Sequence, residues 1–459
     1  MAKFKARART VDMLGRQQIA GYATAISELF KNAHDAYARQ VEVDYYRPEH
    51  LFLLRDNGIG MTLEEFQDRW LTLGTESKVG GGVFPYRPPS TEERPMMGEK
   101  GIGRLAIARI GPQVLVMTRA RRDDGLHDLV VALVNWELFE LPGINLDDIE
   151  IPLETCSPGN LPDATQIKHL KEELHKLVRK LAGRAAPEKL AAIDENIAKF
   201  RADPQRIDTF FNSGAVLQPN DIQLSLRGDG YGTQFLIQPA DPFLGEDIDR
   251  DQHSEYDPLF TKFLVGFANT MTPGAPTPHV ITRFRDWQHP ETSAELISGS
   301  AFLTEDDFRN ADHHFSGQFD EFGQFDGKVQ IYDQPPIKHV IPWEGGKGNP
   351  TLCGPFKVNI AHLQGNARES RVPFEDHTAL MRKLNRFGGL YVYRNGIRIL
   401  PYGNSDHDWL NIETRRNKGS GYYFFAYRRI FGAVEITQHN NSALVEKAGR
   451  EGFQTNKAY

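Results

Sequence analysis

Between Met13 and Ala38 apolar side chains return every three or four positions, at Leu14, Ile19, Tyr22, Ile26, Leu29, Phe30, Ala33 and Tyr37. That spacing predicts one amphipathic helix over Met13–Ala38. Two short β-type runs follow, Val41–Tyr46 and Leu51–Arg55, divided by a turn at Pro48. A polar helix is expected after Thr62, where Glu65 stands three residues on as a capping-box signal. Gly80–Pro95 holds three successive glycines and four prolines, which exclude helix and central strand. A further helix is expected from near Arg104, then strands at Gln113–Arg119 and Leu129–Trp136.

Residues 164–202 form a separate helical pattern. Ile167, Leu170, Leu174, Leu177 and Leu181 recur at three and four residues, and Leu190, Ile193 and Ile197 repeat the rhythm after Pro187. This predicts a helical hairpin inserted at about 160–205, either packed on its own domain or offered to a partner. Strand character returns at Ile222–Leu226 and Gln234–Ile237, fades over 241–330, and dominates from Val329, most strongly at Gly388–Ile399 and Tyr422–Thr437. An Asn395-Gly396 pair marks a hairpin turn.

Composition narrows the class. The chain has 459 residues, 40% of them apolar and 25% charged, which predicts a globular protein of two to four domains. A net charge of −7 makes it no obligate polyanion binder, although local basic patches remain open. No run of 18 apolar residues or secretory signal stands out, so a soluble, cytoplasmic protein is expected. Two distant cysteines, Cys156 and Cys353, exclude a disulfide framework and a cysteine-built zinc site.

The chemistry concentrates in four places. Glu28, Asn32 and Asp35 stand at i, i+4 and i+7, one stripe of the first helix. A carboxylate and a carboxamide one turn apart could orient a water and hold a hard cation such as Mg²⁺; alone, the stripe reads as a solvated face. Asp56 ends an apolar strand and is followed by Gly58, Gly60 and Met61, where a flat ring could approach the backbone and an exocyclic amine could donate to the carboxylate; alone, this is a turn. Gly98, Gly101 and Gly103 lead into a helix, a place for phosphate on backbone N–H groups. No Gly-Lys-Ser/Thr follows, so it is not a Walker A loop. Gly232-Thr233 sits between two strands and alone reads as a turn.

In this order the four resemble the GHKL ATPases, the superfamily of gyrase B, Hsp90, histidine kinases and MutL. The resemblance covers residues 10–240. It implies a Bergerat-type α/β sandwich ATPase domain over 1–240, with the hairpin inserted, followed at 241–459 by a transducer-like α+β domain. It implies Glu28 as general base, Asn32 as Mg²⁺ ligand, and Asp35 as support for the helix and the adenine-side water network. Asp56 would accept the adenine amine, with Gly58, Gly60, Met61 and Thr233 around the base. Residues 79–98 would form the ATP lid. Ser77, Lys78, Gly98, Lys100, Gly101, Ile102 and Gly103 would line the phosphates.

No phosphoacceptor helix pair precedes the motifs and more than 200 residues follow Thr233, which disfavours a histidine kinase. The segment Gly389–Leu400 resembles a transducer hairpin of bacterial Hsp90-like and MORC-like proteins, with Lys357, Arg368, Arg371 or Arg450 as the cation offered to the γ-phosphate. The expected function is a Mg²⁺-dependent ATP-hydrolysing switch, closing as a homodimer on ATP, in a bacterial DNA-processing, anti-phage defence or protein-remodelling system. An effector protein or DNA is left open as partner. The alternative is a nucleotide-gated binding module, or an Hsp90-like chaperone, with little turnover. The basic arm with Lys3, Lys5, Arg7 and Arg9 is either a solvated tail or a strap to a second protomer.

Overall fold

The computed structural model describes residues 5–459 apart from 74–85, 90, 99–102, 215, 218–220, 255, 257, 298–301, 420–421 and 448–451. It divides into two compact units, Met1–Glu246 with His279–Leu296, and Asp247–Pro278 with Ile297–Tyr459. Each is a mixed α+β unit built on one sheet. Among the described residues no helix is long and apolar enough to cross a membrane.

The helix expected over Met13–Ala38 is broken into α1 (Arg9–Leu14), a 3-10 turn at Arg16–Gln18 and α2 (Tyr22–Asp35). Gly15 and Gly21 stand at the breaks. Each glycine weakens a helix by about 1 kcal/mol against alanine, and the apolar period alone did not register that cost. The basic arm before α1 is tied to its own unit. Arg7 donates to the Gly143 carbonyl at 2.7 Å and to Asn145 at 2.8 Å.

The first unit's strands are β1 (Gln40–Tyr46), β2 (Leu51–Asp56), β3 (Gln113–Arg122), β4 (Gly125–Asn135), β5 (Leu153–Cys156), β6 (Gly232–Ile237), β7 (Ile281–His289) and β8 (Thr292–Glu295). Their order across the sheet is β5-β4-β3-β6-β2-β1-β7-β8. The β1–β7 pair is parallel and the others are antiparallel. The expected boundary at residue 240 leaves the β7–β8 hairpin in the second domain, whereas the structure returns it to the first sheet. Charge hid it from the periodicity. Arg285 on β7 binds Asp44 at 2.6 Å and Glu42 at 2.5 Å, and Arg55 on β2 reaches Asp44 at 3.0 Å, all buried. Alternating charges read as a solvated strand face, yet here they cross-link three neighbouring strands.

The capping box at Thr62 and Glu65 is present at the start of α3 (Leu63–Glu65), which runs on as a π-helical turn, Phe66–Trp70. The helix expected near Arg104 is a 3-10 turn at Gly103–Ala106 followed by α4 (Ile107–Ile110). The inserted hairpin is α5 (Ala164–Lys180) and α6 (Pro187–Lys199). It packs on its own unit: α5 lies against β4 and β5, and Gln113 donates to the Asn196 carbonyl at 2.6 Å. Helix α7 (Pro204–Phe211) lays Phe210 and Phe211 against Tyr46 and Trp287. Residues 222–226, expected as a strand, carry no ladder.

Helices α8 (Phe243–Gln252) and α9 (Leu259–Leu264) lead into the second unit, with α10 (Glu305–Asn310), α11 (Phe374–Phe387) and α12 (Ile412–Lys418) further on. Its strands are β9 (His313–Phe319), β10 (Phe325–Ile331), β11 (Ile337–Ile341), β12 (Phe356–His362), β13 (Gly389–Arg394), β14 (Ile397–Arg398) and β15 (Ile430–Ile436). They are ordered β11-β10-β9-β12-β15-β13-β14. Asn395 and Gly396, at φ of 51° and 80°, make the expected turn between β13 and β14. The strand expected from Tyr422 begins only at Ile430, since Tyr422–Phe425 are four successive exposed aromatics with no alternating buried face.

Candidate active site

Register brings the first half of the site together. In the sheet Thr118 lies opposite Thr233, and Thr233 opposite Asp56. Directly paired residues share a face, so the three polar side chains form one row across β3, β6 and β2. The Thr118 and Thr233 hydroxyls are 3.0 Å apart, and Thr118 accepts the Met61 N–H at 3.0 Å. Asp56 Oδ1 accepts the Gly58 N–H at 2.8 Å. Burial pushes this carboxyl up to about 7, against the lowering effect of N–H bonds from Gly58 and Thr233. A buried carboxyl so displaced gains by meeting a further donor.

Gly60 is held at φ +59°, and a Cβ there would lie 1.9 Å from the Arg119 carbonyl oxygen. Only a glycine lets the chain pass β3 at this distance. Arg122 fixes the turn by donating to the carbonyls of Ile59 at 2.7 Å and Gly60 at 3.0 Å.

Helix α2 supplies the second half. Glu28 and Asp35 are buried on it, with Asn32 partly so. The Gly103–Ala106 turn packs against α2. A Cβ on Gly103 would lie 3.3 Å from Glu28 Oε2 and 3.5 Å from Asn32 Oδ1. The backbone at Gly103 therefore runs within contact of both side chains. Residues Ser77, Lys78, Lys100, Gly101 and Ile102 and lid residues 79–85 and 90 lie outside the described residues, as does Arg450.

Asp35 has partners that motif reading did not supply. Its carboxylate accepts the Met97 N–H at 2.8 Å and the Gly98 N–H at 2.9 Å. Those bonds hold the end of the expected lid against α2. Arg94, buried and missed by motif reading, adds to the same anchorage. It donates to the carbonyls of Ala38 at 2.8 Å, His34 at 3.3 Å and His279 at 3.2 Å.

Lys31 was also missed. Its ammonium lies 3.0 Å from Glu28 Oε1, with both side chains about 5% exposed or less. The signal was in the sequence, as Glu and Lys at i and i+3 on one helix meet.

A divalent cation fits here in one way. Among the described residues no group of three His, Cys, Asp or Glu could hold a metal. Mg²⁺ needs no such cage, because it keeps waters and takes phosphate oxygens beside one or two protein ligands. Asn32 is a suitable oxygen donor. Of the cations expected to reach a phosphate, Arg371 is engaged within the second unit, with the Ala311 carbonyl and, at 2.7 Å, with Asp333. Lys357 lies on the sheet face with Ser316 and Lys328, and Arg368 follows β12 in the loop before α11.

Residues 20–146 match the family described as histidine kinase-, DNA gyrase B-, and HSP90-like ATPase. No curated protein matches the chain.

Proposed function

We propose, from the premise that residues 20–146 are a GHKL-type ATPase domain, that the chain is a Mg²⁺-dependent ATP hydrolase whose nucleotide cycle switches its conformation. ATP binding and hydrolysis are the general property of this domain type. The observation that carries the assignment to residues is the approach of Gly103 to Glu28 and Asn32, 3.3 and 3.5 Å from a would-be Cβ. It supports a site in which the carboxylate that would orient the water and the carboxamide that would hold the cation lie beside the Gly103 backbone.

On this reading the adenine amine donates to Asp56, and the Thr118–Thr233 hydroxyl pair holds a water at the ring edge. Asn32 holds Mg²⁺, which when bound neutralises phosphate charge. Glu28 takes the proton of the attacking water, the role of a general base. Asp35 and Arg94 keep the 91–98 segment seated against α2. Closure on ATP would pair two protomers, and hydrolysis would part them. The cycle would serve DNA processing, anti-phage defence or protein remodelling.

The Lys31–Glu28 contact favours a second reading, a nucleotide-gated binding module with little turnover, since an ammonium at 3.0 Å competes for the carboxylate that would accept the proton. Phosphate release with and without Mg²⁺ separates the two. Turnover that falls by about 10²–10⁴-fold in Glu28→Ala while ATP still binds supports hydrolysis. Binding without Glu28-dependent release supports the second. Sedimentation of Glu28→Ala with and without ATP tests the dimer, and an unchanged mass removes the switch.

A further inference from the structure

The second unit holds a cavity of about 790 Å³ between the sheet strands β9, β10 and β12 and the segment Tyr422–Phe425 with α12. Its wall is aromatic to an unusual degree. The His313 and His362 rings lie nearly parallel, 4° apart in tilt, with centroids separated by 5.5 Å. Phe424 and Phe425 close on His362 with centroids at 5.3 and 5.0 Å. Tyr332 stands edge-on to His313 at 4.5 Å and accepts a bond from Gln364 at 2.9 Å.

The rings of Tyr422–Phe425 are not closed into a core. Tyr422 is 85% exposed, and Tyr423, Phe424 and Phe425 are 41–50% exposed. Four adjacent aromatics left this open to water mark a surface with an occupant. The imidazole Nδ1 atoms of His313, His314 and His362 are buried and have no hydrogen-bond partner. Burial holds all three rings toward the neutral form, His362 down to about 4. The cavity thus offers flat aromatic faces among mostly uncharged side chains, a lining that suits a planar ring.

The segment that closes it is predominantly basic. Residues 412–431 contain Arg415, Arg416, Lys418, Arg428 and Arg429 against the single acid Glu413, in a chain of net charge −7. Arg416 shares Glu413 at 3.7 Å. Arg415, which lines the cavity, and Lys418 and Arg428 are exposed. A ligand with flat bases and a negative backbone complements both features.

We propose that the second unit binds single-stranded nucleic acid, its bases stacked among Tyr422–Phe425 and the histidine rings and its phosphates on Arg415 and the neighbouring cations. A single strand is required, because stacking on side chains needs bases out of a duplex. The inference stands apart from the ATPase reading, since all the residues it uses lie in the other unit.

The test is fluorescence anisotropy on the full chain, with a fluorescein-labelled oligothymidylate of about 20 nucleotides over a range of salt. The oligonucleotide should bind, with log affinity falling by roughly 0.7 per phosphate engaged for each unit of log salt. Phe424→Ala with Phe425→Ala should weaken binding roughly 5- to 100-fold with little change in that slope. Arg415→Ala should lower the slope by about 0.7. These side chains are exposed, and an unchanged melting temperature will show that the variants fold; Tyr422→Ala is the substitute if the double variant does not. Absence of binding, equal binding of the matching duplex, displacement by an equal concentration of thymidine monophosphate, or indifference to the aromatic variants would each overturn the proposal.

Discussion

The Lys31 ammonium sits 3.0 Å from the Glu28 carboxylate on α2, and both groups are shielded from water. Removing one member of such a buried pair costs more than removing both, because the survivor keeps its desolvation penalty. Lys31→Met should therefore destabilise the fold by about 3–5 kcal/mol. Adding Glu28→Leu should return much of that loss. Urea unfolding of the two single variants and the double variant gives the coupling directly. Additive losses would show that the pair contributes nothing.

Asp35 joins α2 to the 91–98 segment through the N–H groups of Met97 and Gly98. Asparagine keeps one acceptor oxygen and presents an NH₂ to the second N–H, so Asp35→Asn should lose one charged hydrogen bond outright. The expected cost is about 1.5–3 kcal/mol, felt locally. Amide exchange at Met97 and Gly98 should accelerate by roughly 10- to 100-fold while the β3 and β6 amides stay protected. Exchange unchanged at those two residues would remove the anchoring role.

Asp56 makes nucleotide binding a proton-linked event. Its carboxyl is pushed up to about 7 by burial, so near neutral pH a fraction of the empty protein carries the proton. An adenine amine donating to the carboxylate favours the ionised form. Binding should then release up to roughly half a proton at pH 7, and affinity should rise as pH increases through that region. Calorimetry in two buffers of different ionisation enthalpy measures the release. Asp56→Asn should abolish this component, leaving only the nucleotide's own, and should weaken ATP binding by roughly 10- to 150-fold. GTP, whose six-position oxygen would face the carboxylate, should bind poorly to the wild type. An identical proton count in wild type and variant would detach Asp56 from the base.

Much of the site was legible because its residues sit at intervals that secondary structure converts directly into proximity. Glu28, Asn32 and Asp35 share a helix face whether that helix begins at Met13 or Tyr22, so the broken start of the helix did not disturb the reading. What escaped was long-range pairing. The β7–β8 hairpin joins the first sheet through Arg285 with Glu42 and Asp44, residues more than 240 positions apart, and periodicity carries no information about such partners. Motif reading did not supply Asp35's partners Met97 and Gly98, which lie in a stretch without periodicity. The aromatic run at Tyr422–Phe425 looked like strand for its composition, since local propensity does not say whether a ring has a core to enter.

The glycines at 60 and 103 should separate fold from chemistry. At Gly60 an added Cβ would fall 1.9 Å from the Arg119 carbonyl, and the backbone already holds φ at +59°. Main chain of β3 cannot yield that far, so Gly60→Ala should cost more than about 2 kcal/mol of stability and lower the melting temperature. At Gly103 the nearest atom is Glu28 Oε2 at 3.3 Å, the end of a side chain, which can give by a few tenths of an ångström. Gly103→Ala should stay within about 1 kcal/mol of wild type in stability. Its effect should fall on turnover, because Glu28 and Asn32 are the atoms displaced. A loss of roughly 10- to 100-fold in kcat is expected, with ATP affinity reduced far less. Thermal unfolding, phosphate release and calorimetry on both variants decide the matter. A Gly103→Ala enzyme that unfolds early would refute the tolerance expected of this position, and one that turns over at the wild-type rate would place the phosphates away from the α2 stripe.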